Sequence, residues 1–363
     1  MSTLTLFEMY ALLKEKIPHI SIGEFPTPVE NMEQLGQAIN AAQLYVKRDD
    51  LSGKLYGGNK IRALEFLFGG PIHAGYQEVI AFGFPASCQA LAQAIYAPEF
   101  GLKSIAFLGP QIKSQQARQH LLAYQSIRAD VRPALPIIFL FLIQYRLQHG
   151  RFPKLLEAST PVGMIGYVSA GFELRKQIEQ GLLPEPNLIY ISLATMGTAV
   201  GLMLGVKAAG LQTKIVAIDN GGKILGRKIA TFANVTKLFR KTNDLLHSHD
   251  PSFPLLEISE REFQIRSGYE RERNSLITEA GAHAMKQAKE LENIELDEMF
   301  TANSFAALIA DGKAGKLYDK VVLWWNSYSS RDFSAQIASA DYRQLPKYFH
   351  RYFENVSHKN STS

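Results

Sequence analysis

Four apolar runs, each leading through a turn into a helical pattern, constrain the fold of this chain more than any single residue does. Glu78–Gly83 leads into Ala90–Tyr96, and Ser104–Leu108 into Ala117–Tyr124. Leu188–Leu193 leads into a helix ending near Gly210, and Lys214–Asp219 into an amphipathic stretch, Ile224–Leu246. Val321–Trp325 reads as a buried final strand. Alternating strands and helices predict an α/β fold, with parallel sheet covered by helices. A length of 363 residues, 46% of them apolar, predicts two domains with a sizeable core.

The turn that carries chemistry lies earlier. A short strand, Leu44–Val46, breaks into a charged, glycine-rich stretch that delivers Lys60 to the start of a helix, Ile61–Leu67. Gly57 and Gly58 free the backbone for a tight turn or a close approach to a ligand. Amides at a helix start suit an anion rather than a cation. A lysine there reads as a nucleophilic amine that bonds a carbonyl carbon. Taken alone, the same residue also reads as an ordinary surface lysine after a Gly-Gly turn.

The other segments are less specific. Leu6–Lys16 and Met32–Ile39 read as helices, with a proline-bounded turn at Phe25–Pro28 between them. The turn Phe84–Gln89 follows a strand and opens a helix, a position that usually faces a ligand in α/β folds. Ser87 there suits a helix N-cap. The turn Ala194–Gly201 places small and hydroxyl residues between strand and helix, where N–H groups can point at a phosphate. Pro133–Gln148 is a proline-bounded apolar run that fits a buried helix or a strand equally. Glu260–Arg273 reads as a solvated face with i,i+4 pairs, Thr278–Leu291 as a helix, and the residues from Gln344 as a terminal helix with a frayed end.

Composition excludes several classes. The net charge of +5 is spread along the chain apart from clusters at Arg261–Arg273 and at the C-terminal end, without a nucleic-acid reading motif, so no nucleic-acid partner is expected. The longest apolar run, Ile137–Ile143, is far short of the roughly 20 residues a membrane helix needs, so no membrane partner is expected. One cysteine, Cys88, and an N-terminus without a secretory pattern predict a cytoplasmic protein. No metal site is read.

Lys47-Arg48-Asp49-Asp50-Leu51-Ser52-Gly53, followed by Gly57-Gly58-Asn59-Lys60-Ile61-Arg62-Ala63-Leu64-Glu65, resembles the lysine-bearing segment of the 1-aminocyclopropane-1-carboxylate deaminase / D-cysteine desulfhydrase family. Gly166-Tyr167-Val168, with Ala170, Glu173 and Leu174, is similar to that family as well, and the landmarks run from about Phe25 to Ser327. The resemblance implies pyridoxal 5'-phosphate as cofactor and the tryptophan synthase β-like architecture, fold type II. That architecture has two open parallel-sheet domains with the cofactor cleft between them. It implies a larger cofactor-binding domain of residues 1–60 and 164–343, a smaller α/β domain of 61–163, and a C-terminal extension of 344–363.

By the same resemblance, Lys60 is the Schiff-base lysine and the base for the Cα proton, and Ser87 contacts the substrate carboxylate. Asn59, Cys88, Thr195, Met196, Gly197, Thr198 and Ser327 would hold the cofactor. Ser87, Gln89, Tyr269 and Phe300 would line the substrate pocket, with Tyr269 reading equally as a turn tyrosine. The sequence departs from the family at Cys88 (an asparagine there), at Ala194 and Met196 (glycines), at Phe300 (a tyrosine) and at Asn326 (a histidine). The implied activity is a lyase or deaminase on a small amino acid, and a homodimer is implied too. The alternative is a diverged homologue that binds cofactor or ligand without turnover.

Overall fold

The computed structural model describes residues 4–134, 137–221, 223–224, 227–269, 277–329 and 331–354. The first third carries α1 (Thr5–Met9), α2 (Ala11–Lys16), β1 (Val29–Asn31), α3 (Glu33–Ala38), β2 (Gln43–Arg48), α4 (Lys60–His73), β3 (Glu78–Gly83), α5 (Cys88–Tyr96) and β4 (Lys103–Leu108). Then come α6 (Gln115–Ser126), β5 (Asp130–Pro133), α7 (Ile137–His149), β6 (Lys154–Leu155), α8 (Pro161–Glu179), β7 (Leu188–Leu193), α9 (Gly197–Ala208) and β8 (Lys214–Asp219). The last third has β9 (Lys223–Ile224), β10 (Arg227–Lys228), α10 (Phe232–His249), β11 (Phe263–Arg266), α11 (Glu279–Glu292), α12 (Thr301–Lys313), β12 (Val321–Asn326) and α13 (Ser334–Ile337).

Two compact units result. One comprises Met1–Gly70 with Ala158–Arg331, the other Pro71–Glu157 with Asp332–Ser363. The breaks therefore fall at 70/71, 157/158 and 331/332, where the sequence reading expected 60/61, 163/164 and 343/344. The C-terminal stretch groups with the smaller unit because α13 and the 3-10 turns Tyr342–Gln344 and Lys347–Tyr352 pack on α6. Leu345, Phe349 and Tyr352 are buried there.

The larger unit is built on a six-stranded sheet of order β1-β2-β12-β7-β8-β11, antiparallel only at β1. The smaller unit has a four-stranded parallel sheet of order β5-β4-β3-β6. Both sheets match the α/β expectation. In β12, Trp324 and Trp325 point to opposite faces, as successive strand residues must. Trp324 packs edge-on against Phe305, and the Trp325 Nε1–H donates to Asp49 Oδ2 at 2.8 Å. Helices α8 and α9 touch through glycine: a Cβ on Gly171 would lie 2.3 Å from the Gly205 carbonyl carbon. That contact fixes how closely α9 lies against α8.

Several expected elements differ. The first helix breaks at Tyr10, whose φ of −126° is not helical, giving α1 and α2. Pro133–Gln148 resolves as helix α7, with Ile138 and Phe141 turned to the sheet while Phe139, Leu140, Ile143 and Leu147 are exposed. Ile224–Leu246 is not one amphipathic element: β9 and β10 pair as a short antiparallel ladder before α10. Glu260–Arg273 contains a strand, β11, because Phe263 is buried beside β8; residues 270–273 lie outside the described residues. The terminal helix is a 3-10 turn, and residues 355–363 lie outside the described residues.

Candidate functional site

In the larger unit, β2, β12, β7 and β8 run parallel, with Arg48 beside Asn326 and Leu193 beside Asp219. Their carboxyl ends therefore share one edge, the usual place for a ligand in an open α/β sheet. Three loops start there. One follows β2 and ends at Lys60, one follows β7 and opens α9, and one follows β12 at Ser327.

The Lys60 loop is fixed from both sides. The Gly58 N–H donates to Asp49 O at 2.9 Å, the Ser52 hydroxyl donates to Gly58 O at 2.8 Å, and the Gly57 N–H donates to Ser329 Oγ at 3.1 Å. Gly58 has φ +89°, and a Cβ on it would sit 3.1 Å from the carbonyl oxygens of Ser327 and Tyr328. Only glycine meets both demands cheaply. Asn59, 7% exposed, then joins all three loops. Its N–H donates to Ser327 O at 3.2 Å and its Nδ2–H donates to Thr198 Oγ1 at 2.7 Å. Lys60 follows as the first residue of α4 and is half-buried.

Beneath that lysine lies an ion network that the sequence reading did not resolve. Arg62 is 1% exposed and donates to both carboxylate oxygens of Asp49 and to both of Glu173, at 2.7 to 3.0 Å. Lys47, fully buried, donates to Glu173 Oε1 at 2.5 Å, Gln177 Oε1 at 2.6 Å and Thr27 O at 2.6 Å. The Thr27 hydroxyl donates to Asp49 Oδ1 at 2.9 Å. Burial alone pushes the Glu173 carboxyl up, but the Arg62 guanidinium and the Lys47 ammonium beside it bring it down to about 2. Glu65 closes the base of the loop differently, accepting the N–H groups of Ile22 and Gly23 at 2.8 and 2.9 Å. The signal for these partners was a charged residue inside an apolar pattern: Lys47 in a strand, Glu173 in α8.

At the second loop, Met196 adopts φ +70°, the left-handed side that glycine favours. The bend that a glycine would make is thus kept by a methionine at some strain. The Gly197 N–H donates to Ser159 Oγ at 3.3 Å, and the Ser159 hydroxyl donates to the exposed Thr195 Oγ1 at 2.7 Å. Ser159 was missed as a site residue, although Ser-Thr-Pro before a helix marks a cap. The first turn of α9 leaves backbone N–H groups without intrahelical acceptors, which is how helix starts take phosphates.

Phe300 precedes α12, with its N–H donating to Asp297 Oδ2 at 2.9 Å and its carbonyl accepting from the Ser192 hydroxyl of β7 at 2.8 Å. Tyr269 follows β11, packs against the core of the larger unit and lies under the Arg266 guanidinium at 5.9 Å. Ser327 is half-buried. Lys60, Asn59, Thr198 and Ser327 are brought together by hydrogen bonds or adjacency; Tyr269 and Phe300 are placed in the same unit by other contacts.

Ser87, Cys88 and Gln89 belong to the smaller unit. Ser87 is the N-cap of α5, accepting from the Ala90 N–H at 3.3 Å. Cys88 opens α5, and the Gln116 Nε2–H approaches its sulfur at 3.9 Å. Gln116, His120 and Tyr124 follow at helical i,i+4 spacing on α6, all buried, and Gln93 on α5 is buried too, donating to Ser104 Oγ at 3.2 Å. The Gln116 Oε1, His120 Nδ1, Tyr124 hydroxyl, Gln93 Oε1 and both amide atoms of Gln89 have no protein partner among the described residues. Burial lowers His120 to about 4, so it is neutral at physiological pH.

The residues of the larger unit fit a phosphate-bearing aldehyde that a lysine can hold. The amine stands at a helix start, an anion-seeking helix start lies one Asn59 bridge away, and Asn326, fully buried at the carboxyl end of β12, keeps Nδ2 without a partner among the described residues. Comparison with known proteins agrees. Residues 20–327 match the family described as pyridoxal-phosphate dependent enzyme. The chain is 26% identical to a Pyrococcus horikoshii protein named "Putative 1-aminocyclopropane-1-carboxylate deaminase" over 87% of this chain and 93% of that one. It is 25% identical to the D-cysteine desulfhydrase of Klebsiella pneumoniae over 84% and 90%. The crystal structure of an ACC deaminase homologue superposes with a TM-score of 0.73 at 24% identity, covering 93% of this chain and 99% of that one. Maize serine racemase shares the fold at 16% identity, with a TM-score of 0.59 and coverage of 92% and 95%.

Proposed function

Because this chain belongs to the family of pyridoxal-phosphate dependent enzymes and uses pyridoxal phosphate, we propose that it is a lyase or deaminase acting on a small amino acid such as 1-aminocyclopropane-1-carboxylate or D-cysteine. The cofactor, when bound, supplies the electron sink that takes up the charge left when a bond to Cα breaks. In this reading the Lys60 Nζ holds the cofactor and, for a D-cysteine-type substrate, then takes the Cα proton; 1-aminocyclopropane-1-carboxylate carries no hydrogen on Cα, so with it the bond that breaks is a ring C–C bond to Cα. The N–H groups at the start of α9, with Thr195 and Thr198, hold the phosphate. Met196 and Gly197 contribute their backbone there, Gly197 lying close against Ala158 and Ser159. Ser327 offers a neutral hydroxyl to the ring nitrogen, and Cys88 a thiol to the ring oxygen. The Ser87 hydroxyl donates to the substrate carboxylate, while Gln89, Tyr269 and Phe300 shape the pocket. We also assign it to the cytoplasm as a homodimer, which analytical ultracentrifugation of the purified chain would check.

The observation that carries the reading is the double hydrogen bond of Asn59, to Ser327 O and to Thr198 Oγ1, immediately before Lys60. It ties the amine, the helix start and the β12 loop into one rigid group. The alternative of a cofactor-binding homologue without turnover draws no support from membership of an enzyme family. The test is a visible spectrum of the purified protein with pyridoxal phosphate, then borohydride reduction and peptide mapping. Covalent attachment at Lys60, lost in Lys60→Ala, is expected. So is release of ammonia and a 2-oxo acid from one of the two substrates, with sulfide as well from D-cysteine. Attachment at another lysine, or no 2-oxo acid from any small amino acid, would sink the assignment.

A further inference from the structure

Residues 332–354 lie beyond the stretch that matches the family, yet they reach the turn that bears Ser87. Tyr352 is fully buried, and its hydroxyl engages both backbone groups of Gln111. The Gln111 N–H donates to the phenol oxygen at 2.9 Å, and the phenol O–H donates to Gln111 O at 3.1 Å. One side chain thereby fixes the peptide planes on both sides of Gln111, in the loop between β4 and α6. The Gln111 side chain then accepts the Ala86 N–H on Oε1 at 2.9 Å. Ala86 is the residue before Ser87.

The far end of this chain of contacts is itself anchored. The Tyr352 carbonyl accepts from Arg118 Nε at 2.8 Å, and Lys113 Nζ donates to Glu354 O at 2.7 Å. Phe349, fully buried, seats the same 3-10 turn. At the near end, the Ser87 N–H donates to Phe84 O and the Gly109 N–H to Gly83 O, both at 2.8 Å, so the β3 and β4 loops are already joined at their base. The Ala86 N–H is the point where the tip of the turn is held. Loop tips are otherwise the least restrained backbone in such folds.

We propose that Tyr352 and Gln111 are positioning residues: the C-terminal segment sets, through them, the placement of the Ser87–Gln89 turn against the substrate carboxylate. The proposal rests on the reading of Ser87 given above. Tyr352→Phe and Gln111→Met each remove one link, whereas Gln111→Glu keeps an oxygen to accept from Ala86. The measurements are amide hydrogen exchange at Ala86 in the purified full chain, KM and kcat for the amino-acid substrate, and the visible spectrum of the loaded protein. Loss of one neutral hydrogen bond should speed Ala86 exchange by up to about tenfold. KM should rise with it, while kcat and the spectrum stay at wild-type values and Gln111→Glu restores Ala86 protection. Unchanged Ala86 exchange in both variants overturns the relay, as does faster exchange spread evenly through the smaller unit. Faster exchange with an unchanged KM overturns the assignment of Ser87 on which the relay depends.

Discussion

Two buried polar regions of this protein are satisfied in opposite ways. Around Arg62 in the larger unit, two cations and two carboxylates are buried, and Thr27, Gln177 and Trp325 complete their hydrogen bonds. Along α6 in the smaller unit the buried polar side chains are neutral, and Gln116, His120 and Tyr124 each keep an atom without a protein partner among the described residues. A buried charge is tolerable only when paired, so the first region is completed to the last donor. A neutral amide or phenol costs far less to leave unmatched. The difference teaches where rigidity is demanded: the network lies two residues from Lys60 and fixes the helix that carries it, whereas the α6 layer supports a turn held chiefly by its loop contacts.

Breaking the network should give the largest effect. Glu173→Gln leaves Arg62 and Lys47 sharing Asp49, and should cost roughly 3–5 kcal/mol in chemical denaturation. Acid should separate the two regions next. His120 has its folded-state pKa depressed to about 4 from 6.5, so the unfolded chain takes up the proton first as pH falls. Its contribution is intact above pH 6.5 and lost progressively down to 4, roughly 3 kcal/mol in all. Glu173 is depressed to about 2 from 4.5, so its contribution is intact above pH 4.5 and is lost only as pH falls from there to 2. Denaturant melts at stepped pH should show the two windows, and His120→Phe should remove the upper one alone. Trp325→Phe deletes the donor to Asp49 Oδ2, and a loss of about 2 kcal/mol is expected from a hydrogen bond to a charged group. The smallest effect belongs to Tyr124→Phe, which removes an unmatched hydroxyl and should change stability by less than about 0.5 kcal/mol; a loss comparable to that of Trp325→Phe would erase the contrast.

The sheets were legible because buried parallel strands read as continuous apolar runs, and Glu78–Gly83, Leu188–Leu193 and Lys214–Asp219 coincide with β3, β7 and β8. Helix α7 was ambiguous for the same reason: an apolar run at Ile137–Ile143 carries no period that separates a helix from a strand. Lys60 was legible through its glycines, since Gly58 must take a positive φ. The roles of Lys47, Asp49 and Arg62 were not. They read as a charged turn, because Glu173 lies 111 residues beyond Arg62 and 126 beyond Lys47. Gln111 and Tyr352 gave no signal at all, being 241 residues apart.

By itself the sequence determined the alternation of strand and helix, and the turn that sets Lys60 at a helix start, because both depend on side-chain period and on backbone freedom within a few residues. The tertiary structure alone decided which buried charges pair and which polar atoms go unmatched, and it brought the C-terminal segment to the Ser87 turn. Those outcomes depend on partners far apart in the chain, whose electrostatic and hydrogen-bond energies exist only once folding has removed them from water.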